Sequence, residues 1–183
     1  VMQLVKLFLA AAFLSVFASH VLARPATEAE SKALVQAVTD FDAAMRGNDY
    51  AVVVKTIPPR VLEHMAKTSG MTVDALRGIV IEQMQAALAT VKIESFAMDV
   101  SKVEYKELPN GEPYALIPTE VVMDAGGADK ILAKSQTLAL LDGGAWYLLR
   151  VNEDQQVTVM RQVYPEFAEV EFPAGSMEAL KKP

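Results

Sequence analysis

The hydrophobic period switches near Ile93, from helical spacing upstream to alternation downstream, and that switch most constrains what the chain can fold into. Upstream, Leu34, Val38, Phe41 and Met45 recur at helical spacing behind Thr27 and Glu30, which stand at capping-box separation, and Gly47 ends the run. A short helix through Tyr50, Val53 and Val54 is stopped by Ile57-Pro58-Pro59, where Pro59 suits a first helical position. Val61, Leu62 and Met65 add an apolar turn closed by Gly70, and Thr72 caps a longer helix with a stripe of Leu76, Val80, Met84, Ala87 and Val91.

Downstream, strands are expected near 93–107, 113–124, 130–142 and 145–152, separated by Pro109-Asn110-Gly111, Ala125-Gly126-Gly127 and Asp142-Gly143-Gly144. Pro118 removes a ladder donor from the second strand and implies a bulge or an edge position. Helical spacing returns through Val157, Met160 and Tyr164 before Pro165, and the tail carries Phe167, Val170 and Phe172, too apolar for a disordered end. The expected fold is α+β, with N-terminal helices packed on a curved, roughly four-stranded antiparallel sheet and a C-terminal helix.

Residues 1–23 have the pattern of a signal peptide: Lys6, an apolar run Leu7 to Phe17 and the small-residue ending Val21-Leu22-Ala23. Ser15, Ser19 and His20 interrupt the run and count against a spanning helix, so a domain over 24–183 with no stable membrane insertion is expected after cleavage. Removing the segment takes the net charge from −6 to −7, which disfavours nucleic acid and anionic lipid. The chain has no cysteine and no Asn-x-Ser/Thr acceptor, so it folds without disulfides, and its export fits a bacterial periplasm.

Chemistry-bearing motifs are sparse. With His20 lost, His64 is the one remaining imidazole, and no HExxH, GxSxG, phosphate-loop or GxGxxG pattern occurs, so no metal site and no cofactor are expected. Asp40 and Asp42 are two apart on a helix and do not face each other, and Asp124 and Asp129 lack the spacing of a calcium loop and read as turn residues. Met45, Met84 and Phe41 are apolar fillers that suit a core or a cavity wall.

The last hairpin is more informative. A two-residue Gly143-Gly144 turn sets Asp142 against Ala145 and pairs Leu141 with Trp146, Ala139 with Leu148 and Thr137 with Arg150 on one face. Small Ala133, Ser135, Thr137 and Ala139 leave room on that face for a covering helix or a ligand. The candidate ligand site is therefore Ser135, Thr137, Trp146, Leu148 and Arg150, with Arg150 either in a surface ion pair or presenting its fork to an acidic group.

Two segments carry a family resemblance. Met45-Arg46-Gly47-Asn48-Asp49-Tyr50 is similar to the junction of first and second helices in the NTF2-like superfamily, the cone-shaped α+β group that includes SnoaL-like and cystatin-like relatives. Leu141-Asp142-Gly143-Gly144-Ala145-Trp146-Tyr147 resembles that group's tight turn before a Trp-bearing strand. The likeness spans most of residues 28–152, and the helix near 153–164 departs from the group's usual ending. The group includes enzymes, ligand binders and interaction modules, and no catalytic motif of a member recurs here. The leading expectation is non-catalytic binding of a small, partly apolar molecule or a protein partner, with self-association compatible. The alternatives are a cofactor-independent isomerase, cyclase or hydratase using His64 or an acid as base, and an interaction module using an outer sheet face marked by Leu138, Leu140, Tyr147 and Leu149.

Overall fold

The computed structural model describes residues 26–127 and 129–181, so the segment read as a signal peptide lies outside the described residues. Among the described residues four helices come first: α1 (Glu28–Arg46), α2 (Tyr50–Lys55), α3 (Pro59–Ser69) and α4 (Val73–Thr90). Strands β1 (Lys92–Met98), β2 (Glu104–Glu107), β3 (Pro113–Asp124), β4 (Asp129–Asp142) and β5 (Ala145–Arg150) follow, then α5 (Asp154–Val163) and β6 (Ser176–Lys181). The sheet is antiparallel and curls into a half-barrel.

Local chemistry sets the helix ends. Thr27 Oγ1 accepts from Glu30 N at 3.1 Å while the Glu30 carboxylate accepts from Thr27 N at 2.7 Å, a complete capping box. Pro59 occupies the first turn of α3, and Gly70, at φ 67°, closes it in the left-handed conformation that glycine adopts without strain. The stripe expected on α4 is only partly used. Leu76 is buried, Val80 and Met84 are half-buried and Ala87 is exposed, because α4 packs mainly on α2 and α3 and meets the sheet chiefly at β1.

Among the described residues the sheet has six strands rather than about four. The expected first strand is split into β1 and β2 by a 3-10 turn at Val100–Lys102, which Asp99 caps by accepting from Ser101 N at 3.0 Å. That split resolves the Pro118 problem. In an extended strand a residue's N and O face the same neighbour, and Pro118 O accepts from Asp99 N at 2.9 Å, so its missing donor points at the gap between β1 and β2. The sixth strand lies in the tail, where Ser176–Lys181 pairs with the first half of β4.

The long β3–β4 ribbon therefore has a near half, flanked by β2 and β5, and a far half, flanked by β1 and β6. Both faces of the near half are covered. On one, α1 contributes Leu34 and Val38 to a core with Ala115, Ile117, Ala139, Trp146 and Leu148. On the other, Val61 of α3 and Met160 of α5, with Tyr164 and Phe167, bury Leu116, Leu138 and Leu140, while Tyr147 and Leu149 pack against them. The outer-face patch expected of Leu138, Leu140, Tyr147 and Leu149 is thus core, because α3, α5 and the tail close over it.

The Gly143-Gly144 turn has φ of 58° and 82°, as a type I′ turn requires, so Gly144→Val is expected to cost about 1–3 kcal/mol of strain. Urea denaturation would measure it, and a midpoint equal to wild type would show that the turn tolerates a branched side chain.

Candidate functional site

The β4–β5 register matches the pairing expected from the turn, with Leu141 opposite Trp146, Ala139 opposite Leu148 and Thr137 opposite Arg150. The environments of the five candidate residues diverge. Thr137, Trp146 and Leu148 are buried beneath α1, and the Trp146 Nε1–H donates to Glu30 O at 2.9 Å. On the near half, then, the helix fills the room left by small residues. Ser135 lies further along β4 and is half-buried. The Arg150 side chain is 62 % exposed, with Nε donating to Asn152 Oδ1 at 3.3 Å and Nη2 4.0 Å from Glu153, so the surface-pair alternative is the one observed. It does not line the cavity described below.

The far half of the sheet is built differently. Residues directly opposite one another share a face, and the register lines up Met98, Thr119 and Ser135, then Phe96, Val121, Ala133 and Met177, then Ile93, Met123, Ile131 and Ala179. No residue in those rows is charged. The intervening positions, on the opposite face, carry Glu120, Asp124, Lys130, Lys134 and Glu178, with Lys134 and Glu178 paired at 3.8 Å. An antiparallel sheet with one solvated face shows this asymmetry, and the uncharged face is the one built to be covered. The end of α1 covers its β1 side, where the Phe41 and Phe96 rings lie 5.7 Å apart. Towards β6 the cover stops: Val121, Met123, Ile131 and Ala133 are half-buried, and Met177 is 71 % exposed.

Next to this face is a cavity of about 570 Å³ between the end of α1, the start of α2, the end of α4 and β1. Its apolar wall is Met45, Leu88, Val91, Ile93 and Phe96, and the last two also belong to the uncharged rows. Met45 is therefore a wall residue, which spacing alone left undecided. Asn48, at φ 56°, turns the chain between α1 and α2, and its Oδ1 accepts from the Tyr50 hydroxyl at 2.8 Å at the cavity's edge. Arg46, Lys92 and Glu94 also line the cavity, and each has an ionic partner. Arg46 Nη2 lies 2.7 Å from Asp42, and Glu94, bulged out of β1, takes a hydrogen bond from Lys130 and has Lys92 Nζ at 3.8 Å. The Lys130 hydrogen bond, with the two lysine charges, holds the Glu94 carboxyl below its usual range.

Of the residues considered for chemistry, His64 sits half-buried on α3 and is not among those lining the cavity. Asp40 accepts from Gln36 Nε2 at 2.7 Å, and Asp124 accepts from Gly126 N at 2.8 Å, a turn contact. Among the described residues no group of three or more His, Cys, Asp or Glu could hold a metal ion, and no helix is long and apolar enough to cross a membrane. Comparison with known proteins returns no match to a family model, to a curated protein or to a solved structure.

Proposed function

We propose that this is a non-catalytic binding domain that takes a small, largely apolar molecule into the cavity between α1, α4 and β1 and onto the adjoining uncharged face. The observation that carries the proposal is the continuity of the two through Ile93 and Phe96. A volume of about 570 Å³ lies within the 300–1,000 Å³ range typical of ligand pockets, and convergent apolar side chains supply affinity by burial. The reading fits an exported, periplasmic protein with the NTF2-like organisation that the Gly47-Asn48-Asp49 and Gly143-Gly144 segments resemble. It assigns Ser135 to the open face, and it uses neither Arg150 nor His64.

Titration with the neutral dye N-phenyl-1-naphthylamine tests the proposal. Saturable fluorescence enhancement is expected, and Val91→Trp, which fills the cavity, should weaken it tenfold or more while the unfolding midpoint shows the domain intact. Unchanged dye affinity in Val91→Trp would remove the cavity from the proposal. His64→Ala is expected to leave binding as it is, and a selective loss there would restore the enzymatic alternative.

A further inference from the structure

We infer that the bound molecule is electrically neutral along its whole length, an elongated apolar body whose polar group is a hydroxyl or carbonyl, not a carboxylate, phosphate or ammonium. The inference rests on the binding reading above and narrows its ligand class.

Three features support it. The three floor rows of the far half contain no charge; the charged residues between them project from the opposite face or, in Glu94, from the bulge, and the opposed pair Asp129 and Lys181 stands on the floor face only one row beyond, at the sheet's end. A charged group laid on that floor would lose its water with nothing to replace it. Of the charges at the cavity, Arg46 is held by Asp42 and Lys130 by Glu94, and the one surplus cation, Lys92, shares Glu94 at 3.8 Å with its side chain 77 % exposed, so the excess charge stands in water and not over the floor. At the inner end of the floor the polar groups are hydroxyls. Thr119 Oγ1 donates to Ile117 O at 3.0 Å and lies 2.7 Å from Thr137 Oγ1, so the Thr137 hydroxyl donates to it. Ser135, directly opposite Thr119 and half-buried, is the next hydroxyl along β4, placed to exchange a hydrogen bond with a neutral polar group.

Size favours a small molecule over a protein. Four strands about 4.8 Å apart, with rows about 6.7 Å apart, make a patch on the order of 300 Å². A stable protein interface needs about 800 Å² per partner.

Competition against bound N-phenyl-1-naphthylamine by 1-dodecanol, dodecanoate and dodecylammonium at pH 8 separates the possibilities in the intact chain. Dodecanol is expected to displace the dye at concentrations at least tenfold lower than either ion. An ion that competes as well as the alcohol overturns neutrality and leaves the binding reading standing, whereas a protein that binds neither dye nor competitor overturns both. Ala133→Lys supplies the converse. A cation on the floor should shift the dodecanol-to-dodecanoate preference at least tenfold towards the acid, and an unchanged ratio would show that the floor does not touch the ligand. If circular dichroism shows that Ala133→Lys fails to fold, Ser135→Lys makes the same test from the adjoining row.

Discussion

Trp146→Ala will lower the unfolding free energy by about 3–5 kcal/mol, the range for deleting a large aromatic from a core that relaxes incompletely. The indole is 8 % exposed and packs among Leu34, Val38, Ala139 and Leu148. Its Nε1–H also holds the first turn of α1 through Glu30 O at 2.9 Å, so truncation leaves an apolar void and frees the helix entry at once. Trp146→Phe separates the contributions, since it keeps most of the apolar contact and loses the hydrogen bond, worth about 1 kcal/mol. Equilibrium urea denaturation would measure both. An alanine variant with the wild-type midpoint would mean that α1 is not anchored on β5. This prediction concerns the packing of α1, not the ligand, because Trp146 is not among the residues lining the cavity.

Tyr164→Ala will cost a similar amount, about 3–5 kcal/mol, on the opposite face. Tyr164 is 2 % exposed, its hydroxyl donates to Asp142 Oδ2 at 2.7 Å, and the Arg60 guanidinium lies over the ring at 4.3 Å while donating to Val163 O at 2.7 Å. One side chain thus joins α3, the end of α5 and the end of β4. Burial, and then the hydrogen bond to Asp142, push the hydroxyl well above the ordinary tyrosine value of about 10. The sign follows from linkage: a group that holds its proton more tightly when folded contributes stability that is fully present below the unfolded pKa and is lost as pH rises above it. Stability should therefore fall as pH rises above about 10, and Tyr164→Phe should flatten that decline while costing about 1–3 kcal/mol at neutral pH by leaving Asp142 without its donor. An alkaline profile identical in wild type and Tyr164→Phe would place the titration elsewhere, with Tyr114, also raised by burial, as the next group to replace.

Local signals in the chain were strong wherever one short segment decides one geometry. Thr27 and Glu30, Pro59 and Gly70 mark helix ends through contacts within a turn, and Gly143-Gly144 sets the β4–β5 register because the side-chain period is two and a two-residue turn allows one pairing. The α+β order followed from the change of hydrophobic period. The candidate site was legible only as a face. Ser135, Thr137, Trp146, Leu148 and Arg150 do follow the alternation of paired strands, yet alternation says nothing about what lies above them.

The tertiary structure decided the cover, since it depends on where distant elements cross. Helix α1 lies over Thr137, Trp146 and Leu148, while α3, α5 and the tail lie over Leu138 and Leu140, so the near half became core on both faces. Arg150 ended in solvent at the strand terminus. The uncharged rows of the far half were invisible beforehand because β6 comes from a tail with no hairpin to announce it, and because a 3-10 turn divides β1 from β2. By itself the sequence determined the helices and their ends, the strands β3 to β5 and the hairpin register, all set by interactions within a few residues or across one tight turn. Which half of the sheet is buried and which stays open was left to long-range packing, where helices of fixed length cover only as much of a fourteen-residue strand as their own apolar stripes can reach.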